Sequence, residues 1–174
     1  MANTTFSGPV RSEDGFDVVS KNSSTGAITT EFSLDGSGLQ VTPVTFSDAD
    51  TTLTATANAG RVNVVPAITG NRTLTLPSPT AGVWFKFVYG GAAEEAENLI
   101  IDTGADANFF IGGVVHIQSD ADSASVYSNG SSNSVLTLTD FGVFEINILA
   151  KDSTNWIIWG YQEGADAPAF TDQS

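Results

Sequence analysis

Oxygen-bearing side chains hold most of the positions where this sequence could do chemistry. Ser47-Asp48-Ala49-Asp50-Thr51 and Ser119-Asp120-Ala121-Asp122-Ser123 echo one another 72 residues apart. Paired carboxylates with flanking hydroxyls offer the hard ligands that Ca²⁺ prefers. Neither run has a Glu at the fixed offset that completes a known calcium loop. We therefore read both as solvated acidic turns and assign no metal and no cofactor. Glu94-Glu95-Ala96-Glu97 reads as an exposed acidic face on a short helical turn, Ala92–Glu97. His116, the single histidine, lies among Val114, Val115 and Ile117. One imidazole cannot build a multi-histidine zinc or iron site, and apolar neighbours suit a hydrogen-bonded structural role. The chain has no cysteine, which removes disulfides and thiolate chemistry. Gly90-Gly91 and Gly112-Gly113 lack the strand-to-helix setting of a phosphate loop and read as turns or bulges.

The sharpest motif is Leu99-Ile100-Ile101-Asp102-Thr103-Gly104-Ala105-Asp106, with Gly112-Gly113 downstream. It resembles the active-site loop of retroviral-type aspartic proteases. That resemblance implies a water-activating carboxylate at Asp102, supported by Thr103 and Gly104 and paired with its counterpart across a dimer axis. Ile157-Ile158-Trp159-Gly160 supplies the apolar-apolar-x-Gly pattern expected further on. The motif arrives far later in this chain than in that family, and Glu163–Pro168 cannot sustain the helix that should follow. Asp and Gly are ordinary turn residues at a strand end. We expect no catalytic residue.

The elements that would position these residues read as strands. Residues 1–45 form an expected N-terminal arm and hairpin: Phe6–Arg11 contains a Gly-Pro pair and no periodicity. Phe16–Ser20 and Ala27–Leu34 then flank a turn at Lys21–Gly26. Further strands are expected at Leu39–Phe46, Thr52–Ala57, Arg61–Val65, Arg72–Leu76, Val83–Tyr89, Leu99–Asp102, Phe109–Ile111 and Val114–Gln118. Ser123–Tyr127, Val135–Leu138, Val143–Ala150 and Asn155–Tyr161 complete the series. Short strands at such spacing predict an all-β domain over residues 46–162, a β-sandwich, jelly roll or barrel. Residues 163–174 read as a loose acidic tail.

In Val83–Tyr89, period-2 geometry puts Val83, Phe85, Phe87 and Tyr89 on one face. Lys86, between Trp84 and Val88, leaves the other face partly solvated or against a partner. Phe144, Ile146 and Ile148 face inward on the Val143–Ala150 strand. Asn155–Tyr161 is apolar on both faces: either a covered central strand, which we favour, or a strand with one face in an interface.

Charge excludes further classes. There are 20 acidic residues and 6 basic ones, a net charge of -14. Arg11, Lys21, Arg61, Arg72, Lys86 and Lys151 are scattered, whereas nucleic-acid binding needs clustered bases. Adsorption to anionic membranes is equally disfavoured. No apolar run reaches the roughly 18 residues of a membrane span. The start lacks the basic and apolar regions of a signal peptide, so synthesis in a cytoplasm is expected.

Two further stretches carry a resemblance. Met1-Ala-Asn-Thr-Thr-Phe-Ser-Gly-Pro-Val-Arg-Ser12, followed by Phe16, Lys21 and Thr25-Gly26, resembles the start of small virion proteins of tailed phages infecting marine cyanobacteria. Asn71-Arg-Thr-Leu-Thr-Leu-Pro77 with Ala81-Gly-Val-Trp-Phe-Lys-Phe-Val88 is similar to a module of phage head decoration, or cement, proteins. Ile111-Gly-Gly-Val114 and the strand from Trp156 to Gly160 fall where that module has a Gly-Gly step and a terminal Trp strand. The resemblance implies a non-enzymatic homo-oligomer, a trimer at three-fold positions, bound outside the shell to the major capsid protein. The location implied is the virion exterior, after assembly in the host cytoplasm. A tail or fibre component that binds a receptor is the structural alternative. Within the cement reading, Phe6, Pro9, Val10, Arg11 and Phe16 are the expected capsid-binding residues, Arg11 pairing with a capsid carboxylate. Copies of charge -14 repel, so the subunit interface should be apolar or uncharged, with acids on its rim.

Overall fold

The computed structural model describes residues 15–35, 38–118 and 122–173. The chain divides into two compact units, Met1–Thr42 and Pro43–Ser174. Phe6, Pro9, Val10, Arg11 and Asp120 lie outside the described residues.

The first unit is a three-stranded antiparallel sheet of β1 (Phe16–Lys21), β2 (Ile28–Asp35) and β3 (Gly38–Val41), in that order. The hairpin turn forms where the sequence predicts it. Asn22 caps it: its side-chain oxygen accepts the Ser24 and Thr25 N–H groups at 2.9 and 3.0 Å. Gly26 supplies the positive φ, +75°, that closes the loop. Leu39–Phe46, expected as one strand, is divided. Its first part pairs with β2 here, and Val44–Thr45 joins the second unit as β4. Phe16 stands opposite Leu34, and both are exposed.

The second unit is the expected all-β fold, a two-sheet sandwich. After β4 come β5 (Thr51–Thr52), β6 (Val62–Val65), β7 (Arg72–Thr75), β8 (Trp84–Tyr89) and β9 (Leu99–Asp102). Then follow β10 (Phe109–Ile117), β11 (Ala124–Tyr127), β12 (Val135–Leu138), β13 (Phe141–Ala150), β14 (Asn155–Gly164) and β15 (Ala169–Thr171). One sheet runs β11-β10-β14-β13-β8-β6-β4 and the other β15-β12-β9-β7-β5. From β4 to β9 the chain alternates between the sheets, so β4, β6 and β8 pair in parallel, as do β5, β7 and β9.

The core lies between the sheets. Phe85, Phe87, Phe110, Phe144, Ile146, Ile148 and Trp156 come from one side, Leu74, Leu99, Ile101, Leu136 and Leu138 from the other. Each such side chain contributes roughly 1.5–3 kcal/mol on burial. Phe85 meets Trp156 at 5.8 Å between ring centroids, and Phe110 meets Phe170 across the layers at 6.0 Å. Gly112 and Gly160 face this core and adopt φ of +121° and +154°.

Three local expectations are corrected. Thr52–Ala57 is not a strand throughout: after β5, Ala55–Asn58 forms a one-turn helix, α1. The Thr54 hydroxyl caps it by accepting the Ala57 N–H at 3.1 Å, and the buried Asn58 and Asn63 side chains tie it to β6 at 3.1 Å. Ala92–Glu97 forms no helix: its acids are drawn to outside partners, Glu94 accepting the Ala165 N–H at 2.8 Å and Glu95 bonding the Tyr89 hydroxyl. Residues 163–174 are not a loose tail. Strand β14 runs to Gly164, and β15 pairs with β12 in register Leu136↔Phe170, with Phe170 set against the core.

Candidate docking face

The seven-stranded sheet buries one face and leaves the other open, and alternation along each strand decides which residues stand where. On β14, Trp156, Ile158 and Gln162 are buried while Trp159 is 48% and Tyr161 36% exposed. On β10, Phe110, Val114 and His116 are buried, and Val115 and Ile117 point out. On β8, Phe85 and Phe87 are fully buried, and Trp84 is 42% exposed, which is the facial split read from the sequence. The two-sided apolar strand Asn155–Tyr161 is therefore central but covered on one side only. The favoured reading of a strand covered on both faces is thereby corrected: its outer face is open.

Register aligns these outward residues into rows. Ile111, Ile157, Leu149 and Trp84 form one row; Gly113, Trp159, Asn147, Lys86 and Val62 form the next. Val115, Tyr161, Glu145, Val88 and Val64 form the third. Tyr127 on β11, opposite Gly113, is exposed and leans over the glycine: a Cβ there would meet its ring at 2.7 Å.

The charge on this face sits on Lys86, Glu145 and, at one end, Glu163. Lys86 Nζ lies 2.9 Å from Glu145 Oε2, with side chains 30% and 35% exposed. Asn147 donates its amide to the other carboxylate oxygen at 3.1 Å. The Lys86 ammonium, with help from Asn147, holds the Glu145 carboxyl below its ordinary range. Both charges belong to neighbouring strands at the middle of the sheet. A face this broad, apolar and nearly neutral can bury area against another protein surface.

The residues singled out from the sequence are placed elsewhere. Asp102 ends β9 in the five-stranded sheet. Its Oδ1 accepts the Gly104 N–H at 2.6 Å, and the Gln173 amide reaches Oδ1 and Oδ2 at 3.1 and 2.9 Å. Thr103 is buried, its hydroxyl 2.9 Å from the Asn108 carbonyl oxygen. Gly104 turns the chain with φ of +81°. Ile157–Gly160 stands in the other sheet, on β14, so the two halves of the protease-like pattern are not strand partners. The Asp102 carboxylate is occupied as a turn cap.

Asp48 accepts from Arg72 Nε at 2.6 Å on one oxygen and from the Thr69 hydroxyl and N–H at 2.7 and 3.1 Å on the other. Asp50 accepts the Thr73 N–H at 2.9 Å. These acids fasten the loop before β5 to the start of β7, with protein donors where a cation would stand; Asp122 is exposed. His116 is buried, its Nε2 2.9 Å from the Gly164 carbonyl oxygen, the structural role its neighbours suggested. A cleft of about 450 Å³ lined by Tyr89, Glu94, Gln118, Val143 and Glu163 opens at the end of the sheet where β13 begins and β14 ends.

Sequence reading missed Trp159, Tyr161 and Val115 as a set. The two available signals were Lys86 between aromatic residues and a strand apolar on both sides. Among the described residues, no helix is long and apolar enough to cross a membrane. No known protein family matches the chain, and no curated protein does.

Proposed function

We propose that this chain is a virion structural protein that binds the outer capsid surface as an oligomer and cements the shell. The observation that carries the reading is the open face of the seven-stranded sheet. A chain with net charge -14 keeps a broad apolar surface nearly free of net charge, and such surfaces mark assembly. Its resemblance to phage head decoration modules supplies the assembly. Within this reading the sheet face joins subunits, while the segment from Phe6 to Phe16, with Arg11, meets the major capsid protein. Phe16 is available for that role at 48% exposure. Oligomerisation multiplies weak capsid contacts through effective concentration.

The test is cryo-microscopy of purified phage particles with and without the protein, together with their rupture temperature. Density in high copy over the head and a lower rupture temperature without the protein are expected. Density confined to the tail would replace this reading with that of a fibre or receptor-binding component, and no density on particles would overturn both.

A further inference from the structure

The open sheet face carries one opposite-charge pair at its centre, and that pattern bears on what covers it. We infer that a second copy of this chain covers the face, packed about a two-fold axis that passes between Lys86 and Glu145. The inference rests on the oligomer of the proposed reading. It assigns the sheet contact two-fold symmetry in place of the three-fold arrangement that the resemblance implies.

Three observations carry it. The first is charge. Two copies of a chain with 20 acids and 6 bases repel over most of their surfaces, so they meet where net charge vanishes. The outward strand positions of this sheet hold Glu145 and Lys86, which cancel, and beyond them Glu163 at one end. The second is self-complementarity. Lys86 and Glu145 lie side by side on adjoining strands, β8 and β13, with Glu145 on the strand fourth of seven. An isologous contact sets residue i against j and j against i. An axis in the plane between the sheets, running between these two side chains, places each lysine over the partner's carboxylate. The pair becomes a buried square of alternating charge ringed by Trp84, Trp159 and Tyr161, a setting in which charged groups specify orientation.

The third is area and chemistry. Five adjoining strands about 4.8 Å apart, each about seven residues long, give a flat patch of roughly 600 Å² before side-chain relief is counted. That is in reach of the ~800 Å² each partner buries in a standard complex. Aromatic residues alone would also suit a carbohydrate. Here, however, Ile111, Ile157, Leu149, Val115, Val88 and Val64 fill most of the rows, and the polar groups among them, Lys86, Glu145 and Asn147, are already bonded to one another. Aliphatic filler around aromatic anchors is protein-interface composition.

The test uses charge exchange on the full chain. Wild-type protein measured by sedimentation or light scattering should have twice the 18.1 kDa chain mass. K86E alone and E145K alone should each weaken self-association about tenfold or more, with thermal unfolding and circular dichroism showing that both variants fold. Mixing the two variants should restore the dimer as a heterodimer, because a doubly negative centre then faces a doubly positive one. W159S should weaken the dimer without unfolding the chain. A monomeric or trimeric wild type, single variants that keep wild-type mass, or variants that stay apart on mixing would each overturn the inference. Particle binding is scored separately. Dimers that ignore phage heads would sink the cement reading alone, and monomers that coat heads would sink the two-fold contact alone.

Discussion

Asp48 and Asp152 show how this acidic chain uses carboxylates as fasteners. Asp48 is lowered from its ordinary 3.8 to about 2 by the Arg72 and Thr69 hydrogen bonds. Asp152 is lowered equally by the Thr154 N–H and the Asn155 side chain, in the turn between β13 and β14. A carboxyl whose pKa is depressed on folding adds stability above its unfolded value and loses it as pH falls through the folded one. Their contribution is thus complete above about pH 4 and fades between 3.8 and about 2. Asp48→Asn and Asp152→Asn should each lower the melting temperature at pH 7 and flatten its fall over that acid range, as calorimetry at stepped pH would show. Equal pH slopes in variants and wild type would refute the assignment. The acidic turn was legible as a loop at residues 47–51. Its partner was not, because Arg72 is distant in sequence and nothing in spacing says which base folds back. The same holds for Asp102, whose turn was legible but whose Gln173 partner comes from a segment read as loose.

Strands were legible wherever large apolar residues alternate with polar ones, as in Val143–Ala150, where the inward set Phe144, Ile146 and Ile148 is buried. Alternation gives a face and not a neighbour, which is why the parallel pairing of β10 with β14 left no sequence signal. The one-turn helix α1 was missed because Thr-Ala-Thr-Ala alternates like a strand while its start is fixed by a cap. Glycine marks close backbone approaches in the central sheet. At Gly112 a Cβ would lie 2.2 Å from the Ile158 carbonyl oxygen, on a backbone at φ +121°. Gly112→Ala should therefore destabilise by on the order of 2–4 kcal/mol, through strain and a displaced β14. Gly130→Ala meets nothing within 4 Å at φ +72° and should cost about 1 kcal/mol. Urea midpoints of the two variants decide this, and equal losses would refute the account.

Taken whole, the second unit is a charged body with one neutral wall, and salt should govern its pairing. At about 0.15 M salt the screening length is ~8 Å; at 0.01 M it is ~30 Å, a reach comparable with the molecule itself. Repulsion between copies of charge -14 then outweighs two bridged Lys86–Glu145 pairs. The dimer Kd should rise severalfold at low salt, read by light scattering; an unchanged or lower Kd would refute this balance. The neutral wall was half legible, since lysine between aromatics told of a distinct second face but not of its breadth. Breadth depends on which strands lie together, and that is a property of topology. Strand order carries one more implication. β14 follows every other strand of its sheet along the chain, yet it sits between β10 and β13. Until it arrives, those two strands present bare edges facing a gap one strand wide. The last piece in is thus a keystone, and the same gap would accept the equivalent strand of a neighbouring molecule during crowded synthesis.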